Sequence, residues 1–274
     1  MKTDNRLAIL VLTCDAYSDL WDDFFNLRDK YWTDCPYKWY LVTELKDYDR
    51  KNVEVIKCGK ELNWAGRFRM AVQTVNFEYI GVYLEDYFIK STIDNNRIER
   101  YLNLMATDDV KFLNLGDVFH HIIDLKGKEY YATHLIRIPK HLRYGIDTAA
   151  AIWNKEYLLE ILGEGDYTAW QFELDRCREA ASEEGLKGLI LCDDLNSFNV
   201  SEIPVVIQGA FYPEAKKFFE KECGYKILST RKTMGFWNVS KFKLKMTLSK
   251  VKYGRKTLKW LGTHLLGYTF FTED

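Results

Sequence analysis

The sequence has little of what marks linkers, membrane spans or cysteine-based sites. Only 4 Pro and 16 Gly occur in 274 residues, which excludes a low-complexity or linker-rich chain. No apolar run approaches the roughly 20 residues that cross a bilayer as a helix, so we expect any membrane contact to be peripheral. The six Cys form no C-x-x-C pair and have no His at metal-ligand spacing. Together with an N-terminus that does not resemble a secretory leader, this favours a reducing, cytoplasmic location.

Apolar and aromatic residues, by contrast, are abundant. Hydrophobic residues make up 47% and aromatic residues 15% of the chain, enough for one large buried core. The formal net charge is -1, but it is unevenly distributed. Residues 226–274 carry 11 Lys and Arg against 2 Asp and Glu, a net charge of +9, which leaves residues 1–225 at -10. We therefore predict a main domain over 1–225 and a basic amphipathic C-terminal extension over 226–274.

Hydrophobic periodicity predicts an α/β fold. Residues 7–12 form a continuous apolar run, the pattern of a parallel strand buried on both faces. Further strands are predicted at 39–43, 53–56, 79–84, 111–115, 134–138 and 204–207, and helices at 16–31, 68–75, 154–162 and 168–181. Strands and helices that alternate in this way predict a mostly parallel sheet with right-handed crossovers.

Polar pairs follow three of these predicted strands. They are Thr13 and Asp15, Thr43 and Glu44, and Glu85 and Asp86. Ligands of parallel sheets bind at the carboxyl ends of the strands, so the three pairs together predict a binding rim. For any single pair, the alternative is an ordinary polar loop.

Glu85 and Asp86 are candidate metal ligands. A divalent cation that bridges a diphosphate needs hard oxygen ligands, and one or two from the protein are common. Neighbours in a regular strand point to opposite faces, so we assign the metal to Asp86 alone. The alternative is a pair of solvated acids.

Two other short stretches suggest ligand contacts. At 63–68, a helix start with Gly66 and Arg67 would let backbone amides and a fixed positive charge face a phosphate; the alternative is a plain helix start with a solvated Arg. In the predicted helix 168–181, the aromatic face of Trp170 could stack on a sugar ring and Glu173 could take a proton from a hydroxyl. An amphipathic helix with buried aromatic residues is the alternative there.

The order of several segments resembles bacterial GT-A-type glycosyltransferases. The resemblance is to surface-polysaccharide enzymes, of capsule or lipopolysaccharide synthesis, that are distant relatives of family 2. It covers roughly 7–210 and is carried by 9–17 (ILVLTCDAY), 63–68 (NWAGRF), 79–88 (YIGVYLEDYF), 149–158 (AAAIWNKEYL) and 170–173 (WQFE). It implies a GT-A-like (Rossmann-like) three-layer sandwich that moves a sugar from a nucleotide-sugar donor, UDP-linked by expectation, to a glycan or lipid-linked acceptor.

The resemblance also implies roles for particular residues on the donor side. The expected donor-binding residues are Thr13 and Tyr17 at the nucleotide, Glu44 as a base or ribose contact, Trp64, Gly66 and Arg67 at the diphosphate and sugar, and Glu85. Glu85-Asp86 stands where the family has Asp-x-Asp, so Asp86 would bind Mn²⁺ or Mg²⁺ and stabilise the departing diphosphate. Because the x-Asp spacing is missing, dependence on a metal stays open.

On the acceptor side, Glu173 is the expected catalytic base. In an inverting transfer it would face the attacking hydroxyl, whereas in a retaining transfer it would only orient the acceptor. The residues do not decide between the two.

The basic extension suggests a site of action. Lys and Arg interleaved with aromatic and aliphatic residues suit an anionic bilayer surface, where each basic residue contributes about 1 kcal/mol. Attachment at the inner face of the cell membrane would bring the enzyme to a lipid-linked acceptor; the alternative is an extension packed on the acidic main domain. Nucleic acid is not expected as a partner, because no recognition motif accompanies the charges and the main domain is acidic.

Three other functions stay open. A nucleotidyltransferase would use a nucleoside triphosphate and more acidic residues around two metals. A non-catalytic sugar- or nucleotide-binding module would keep the rim without the chemistry. A basic nucleic-acid binder would show steep salt dependence.

Overall fold

The computed structural model describes residues 4–116 and 129–249, and part of the predicted extension, 250–274, lies outside the described residues. The strands are β1 (Leu7–Leu12), β2 (Lys38–Thr43), β3 (Val53–Lys57), β4 (Tyr79–Leu84), β5 (Val110–Asn114), β6 (Tyr130–Ala132), β7 (Leu135–Arg137), β8 (Ala151–Asn154), β9 (Leu189–Asp193), β10 (Val206–Ile207) and β11 (Ala210–Phe211). The helices are α1 (Trp21–Tyr31), α2 (Trp64–Thr74), α3 (Asn95–Asp108), α4 (Lys155–Leu162), α5 (Ala169–Ala181), α6 (Pro213–Lys221) and α7 (Phe236–Ser249). A 3-10 helix, Asp15–Leu20, leads into α1.

Nine strands form one sheet in the order β3-β2-β1-β4-β8-β5-β9-β7-β6. The pairs β3–β2, β2–β1, β1–β4 and β5–β9 are parallel. Strand β8 runs antiparallel to both of its neighbours, β4 and β5, and β7 runs antiparallel to β6 and β9. The expected α/β fold with a mostly parallel central sheet is confirmed. Because β8 is reversed, its first residue, Ala151, lies beside the carboxyl ends of β4 and β5.

Helices cover both faces of this sheet. Alternate residues of β1 show this: Leu7, Ile9 and Val11 pack in one core cluster with residues of α1, α3 and α6. Ala8 and Leu10 pack in a second cluster with residues of α2, α4 and α5. All six residues of β1 are buried, as its continuous apolar run requires. The described residues thus form three layers, with the sheet in the middle.

The sequence predictions locate most of these elements, with some errors. The four strands of the first half and helices α4 and α5 fall within one residue of their predicted bounds. The helix predicted at 16–31 starts with a 3-10 segment, and the one predicted at 68–75 begins four residues earlier, at Trp64. Helices α3, α6 and α7 and strands β6, β8, β9 and β11 were not predicted. Asp193 is the last residue of β9.

The first residues of the predicted extension pack on the main domain. Ile227 and Met234 are buried in the same core cluster as α1. The carboxylate of Asp23, itself 0% exposed, accepts hydrogen bonds from the backbone amides of Leu228 and Ser229, each at 2.8 Å. The segment 226–234 is therefore held by α1. Within the described ranges, no helix is both long and apolar enough to cross a membrane.

Candidate functional site

The carboxyl edge of the sheet collects the candidate residues. Thr13 follows β1, Glu44 follows β2, and Glu85 and Asp86 follow β4 after the regular strand has ended. The reversed strand β8 adds the residues that precede it, above all Asp147. All of these residues lie along one edge of the sheet. Asp147 reaches that edge from β8, which runs in the opposite direction to its neighbours.

Glu85 and Asp86 are adjacent carboxyls in a largely enclosed part of this edge. Glu85 is 8% exposed, and the Thr13 side chain is close enough to lower the pKa of its carboxyl. Burial raises the pKa of Glu85, and the neighbouring charge of Asp86 raises it further. Burial likewise raises the pKa of Asp86. Two close acids that resist ionisation together would be stabilised by a cation.

The carboxylates of Glu85 and Asp86 are of the kind that binds divalent cations. Mg²⁺ and Mn²⁺ are often held by one or two carboxylates, with the other ligands supplied by substrate phosphates and water, and Asp86 and Glu85 could provide these carboxylates. In the ranges that the structure covers, no group of three or more His, Cys, Asp or Glu could hold a metal ion by itself. Asp86 and Glu85 would therefore supply only some of the ligands, and substrate phosphates and water the others.

The loop after β2 is tied to the loop after β1. Asp15 accepts hydrogen bonds from the backbone amides of Glu44 (3.2 Å), Leu45 (3.1 Å) and Lys46 (3.1 Å). In return, its own amide donates to Glu44 Oε2 at 3.0 Å. The other oxygen, Glu44 Oε1, forms an ion pair with Arg67 Nη1 at 2.6 Å. Two predicted donor-binding residues thus neutralise each other, which fixes the first turn of α2 against the end of β2.

The N-terminus of α2 already binds a carboxylate of the chain itself. Asn63, the N-cap, makes no side-chain capping bond. Instead, Asp166 accepts hydrogen bonds from the amides of Asn63 (2.9 Å) and Gly66 (3.1 Å), and the carbonyl of Tyr167 accepts from Ala65 (2.9 Å). A Cβ on Gly66 would approach Asp166 Oδ1 to 2.7 Å. The anion that Gly66 faces is therefore Asp166 and not a bound phosphate.

Trp64 faces the middle of the site from α2. Its ring centroid lies 5.2 Å from that of Phe68 and 5.4 Å from that of Phe172 on α5. Its indole nitrogen is buried without a hydrogen-bond partner in the described structure. Together with Asp147 and Thr148, Trp64 lines a small cleft, so an indole N–H donor is left for a ligand atom.

Glu173 lies on the second turn of α5. Thr168 is the N-cap of this helix, and its hydroxyl accepts a hydrogen bond from the Gln171 amide at 3.2 Å. Glu173 Oε1 accepts from the hydroxyl (2.8 Å) and the amide (3.2 Å) of Thr148. Among the described residues, Oε2 has no hydrogen-bond partner. The carboxylate is thus oriented through one oxygen, and the other could accept a proton.

Asp147 was missed by the sequence predictions. It is 4% exposed, and its Oδ1 accepts hydrogen bonds from the Ala149 amide at 3.0 Å and the Asn114 side chain at 3.4 Å. Burial raises the pKa of Asp147 from 3.8 to about 7, and the negative charge of Glu173 contributes in the same direction. It is therefore a buried carboxyl that titrates near neutral pH.

Tyr87 joins the two halves of the site. Burial raises its pKa well above the ordinary value, and the charges of Asp86, Asp147 and Glu173 raise it further. The neighbouring Thr148 side chain acts in the opposite direction and lowers the pKa of Tyr87. The charges of three carboxyl groups from different parts of the chain thus act on one phenol, which stays protonated and can act as a donor.

Arg231 reaches the edge from the segment assigned to the extension. Its guanidinium carbon lies 4.2 Å from the ring centroid of Tyr17, and its nitrogens bond Asp19 at 2.5 and 3.0 Å. Its positive charge lowers the pKa of both Glu85 and Asp86. Arg231 thus holds the ring of Tyr17 and adds a fixed positive charge to the site.

A cavity of about 350 Å³ opens beside Asp86 and Tyr87. Its other walls are Ala150 and the segment 200–206. The volume lies in the range of small-molecule sites, and the wall formed by 203–206 is apolar. The described structure therefore offers a ligand-sized space next to the acidic pair.

Two other acidic or aromatic positions lie outside this cluster. Trp170, the expected acceptor residue, is 63% exposed on α5, one turn before Glu173. Asp193 is buried and structural: it accepts hydrogen bonds from the Tyr101 hydroxyl (2.9 Å) and from the amides of Leu195 (3.1 Å) and Ser197 (2.7 Å).

Comparisons with known proteins identify no family. No family profile matches the sequence, and no curated protein matches it. Among solved structures, a Staphylococcus aureus TarS fragment (1–349) has 11% identity and a TM-score of 0.45, over 69% of this chain and 58% of that one. A Leptospira borgpetersenii cytidylyltransferase has 10% identity and a TM-score of 0.43, over 85% of this chain and 100% of that one.

A third similar structure is a Drosophila β1,4-galactosyltransferase 7 mutant in complex with manganese, UDP-Gal and xylobiose. It has 11% identity and a TM-score of 0.37, over 86% of this chain and 79% of that one. The chain spans little more than half of the TarS fragment and 35% of the chain in a second TarS structure. At these values the similarity says nothing about substrate, so function has to be derived from the site itself.

Proposed function

We propose that the protein is a transferase that binds a nucleotide-sugar donor at the carboxyl edge of its sheet. The cavity of about 350 Å³ that Asp86 and Tyr87 line, together with the Glu173 carboxylate that Thr148 orients and whose charge reaches Tyr87, carries this proposal. A group transfer needs a site where negative charge on a leaving diphosphate is stabilised and a second site where a nucleophile loses its proton. Asp86 would meet the first of these needs and Glu173 the second.

More specifically, we propose a GT-A-type glycosyltransferase that moves a sugar to a hydroxyl of a glycan or lipid-linked acceptor in surface-polysaccharide synthesis. The nucleotide would lie against Thr13 and Tyr17, with Tyr17 held by Arg231, and its diphosphate would extend toward Asp86. A divalent cation on Asp86 would supply positive charge to the departing diphosphate when bound. Glu44 and Arg67 support the donor side through their ion pair.

Glu173 is the proposed base. Thr148 orients its carboxylate through Oε1, and Oε2 would accept the proton of the attacking acceptor hydroxyl in an inverting transfer. Trp64, with its unpartnered indole N–H, would contact the sugar between the two halves of the site. Trp170, exposed one turn before Glu173, would stack on the acceptor.

Donor class can be tested by thermal stability. Wild type, Asp86→Asn and the exposed-carboxylate control Asp49→Asn are melted with UDP- and GDP-sugars, UDP, CTP and ATP, with and without Mn²⁺ or Mg²⁺. A ligand at 100 times its Kd stabilises by about 2.7 kcal/mol, roughly 5–10 °C for a domain of this size. We expect a shift with one nucleotide sugar that Asp86→Asn loses and Asp49→Asn keeps. A shift with CTP or ATP alone would instead indicate a nucleotidyltransferase.

The chemical step is tested with Glu173→Gln. Loss of a general base costs roughly 10²–10⁴-fold in rate, so we expect transfer to fall by that factor while the donor-induced thermal shift persists. Asp175→Asn, on the same helix, is the matched control. If Glu173→Gln turns over normally, Glu173 is not the base; donor binding without transfer by the wild type would indicate a non-catalytic module.

A further inference from the structure

Helix α7 is held against the main domain along one side. Val239 and Phe242, three residues apart, pack on the core cluster, and the Phe242 ring lies 5.9 Å from that of Tyr212. Lys243 forms an ion pair with Glu214 on α6. These contacts fix the rotation of the helix about its own axis.

The opposite side of α7 is exposed. Trp237 is 77% exposed and Leu244 60% exposed, and Lys241 between them is exposed as well. Positions 237, 241 and 244 are separated by four and three residues, which places them on one helix face. Phe236, 76% exposed, packs its ring edge-on against Trp237 at 5.7 Å. A Trp, a Leu and a Lys thus share an outward face, which we call the α7 outer face.

All charged residues of helix α7 are basic. Helix α7 contains Lys241, Lys243 and Lys245 and no Asp or Glu, and residues 226–274 carry a net charge of +9 against -10 for 1–225. An anionic surface is therefore attracted to this end of the chain and repelled by the rest of it. Trp is suited to the bilayer interface, because its ring is apolar and its N–H stays hydrated.

We propose that the α7 outer face docks on an anionic lipid bilayer, with Trp237 and Leu244 inserted at the headgroup level and Lys241 near the lipid phosphates. The proposal goes beyond the proposed function, because it concerns a surface and requires no catalytic activity. Peripheral helices of this type combine apolar insertion with attraction to anionic lipids.

Docking there would also set the position of the active site. The amide of Met234, two residues before α7, donates to the carbonyl of Phe211 at 2.9 Å, and the amide of Tyr212 donates to the carbonyl of Val205 at 2.8 Å. Val205 lines the cavity beside Asp86. The α7 outer face is thus connected to the apolar cavity wall by a short hydrogen-bonded path, which would hold the cavity at a defined place relative to the bilayer.

The test is co-sedimentation of the full-length protein with vesicles of phosphatidylcholine alone or with about 30% phosphatidylglycerol. We expect binding to the anionic vesicles that weakens with salt, and little binding to neutral ones. The double variant Trp237→Ser/Leu244→Ser should bind at least tenfold more weakly, and Lys241→Glu about tenfold more weakly. The matched control is Met70→Ser/Leu228→Ser, which removes two side chains that are 42% and 55% exposed elsewhere.

Residues 250–274 are present in every variant, so the comparison isolates α7. Because Trp237 and Leu244 are exposed, the double variant should melt like wild type, and this is checked first. Unchanged vesicle binding by the double variant, or equal binding to neutral vesicles, would overturn the proposal. So would binding of single-stranded RNA that the same variant abolishes, in the absence of vesicle binding.

Discussion

Replacement of Asp147 by Asn should change how the stability of the protein depends on pH. Asp147 is 4% exposed, and its carboxyl accepts hydrogen bonds from Ala149 and Asn114. Burial raises its pKa from 3.8 to about 7. An Asn side chain keeps the oxygen that accepts these bonds but cannot ionise, so the substitution isolates the effect of the charge.

The direction of this pH dependence follows from whether the folded or the unfolded chain releases the Asp147 proton at the lower pH. Asp147 ionises at a lower pH in the unfolded chain than in the folded one, so its favourable contribution is complete below about pH 4 and is lost as the pH rises through about 7. One such group changes stability by at most about 1.4 kcal/mol per pH unit. Between pH 5 and 7, a pKa of 7 against 3.8 gives a loss of about 2 kcal/mol.

The assay is urea unfolding of wild type and Asp147→Asn at pH 5 and 7. We expect the stability of wild type relative to the variant to fall by about 2 kcal/mol between the two pH values. The exposed carboxylate Asp49 serves as control, and Asp49→Asn should follow wild type. Parallel pH profiles for wild type and Asp147→Asn, within about 0.5 kcal/mol, would refute the assignment of a buried carboxyl that titrates near neutral pH.

Two further predictions concern contacts that join distant segments. Asp23→Ala leaves the amides of Leu228 and Ser229 without their acceptor, so urea unfolding should show a loss of at least about 3 kcal/mol; a loss under about 1 kcal/mol would mean that the segment 226–234 does not depend on this carboxylate. Asp166→Ala removes the external cap of α2 and should cost about 1 kcal/mol, while Asp166→Asn should cost less; equal losses would show that the acceptor is not what matters.

Of the site residues, Asp86 could be predicted from the sequence, whereas Asp147 could not. Asp86 is predictable because it follows an apolar run of strand length, and strand ends mark ligand edges in parallel sheets. Asp147 precedes a short strand, and only the reversed direction of β8 brings it to the same edge. Nothing local distinguishes that direction, because a buried strand reads the same in either orientation.

A local sequence pattern can also be misread when a residue far along the chain occupies the position that the pattern suggests for a ligand. The segment around Gly66 has the composition of an anion-binding helix start, and it does bind an anion. That anion is Asp166, 100 residues later, and this could not be read from 63–68 alone. Arg231 is the converse case, because the sequence groups it with a basic extension while its guanidinium packs on Tyr17.

The sequence by itself determined the elements and their burial: the period of apolar residues sets which segments become strands and helices, and the apolar runs set which strands are covered on both faces. It also determined the charge asymmetry between 1–225 and 226–274. Only the tertiary structure decided strand order and direction, and with them which carboxyl charges act on Tyr87. The physical reason is that burial and charge proximity, which shift a pKa and orient Glu173, arise between residues far apart in the chain.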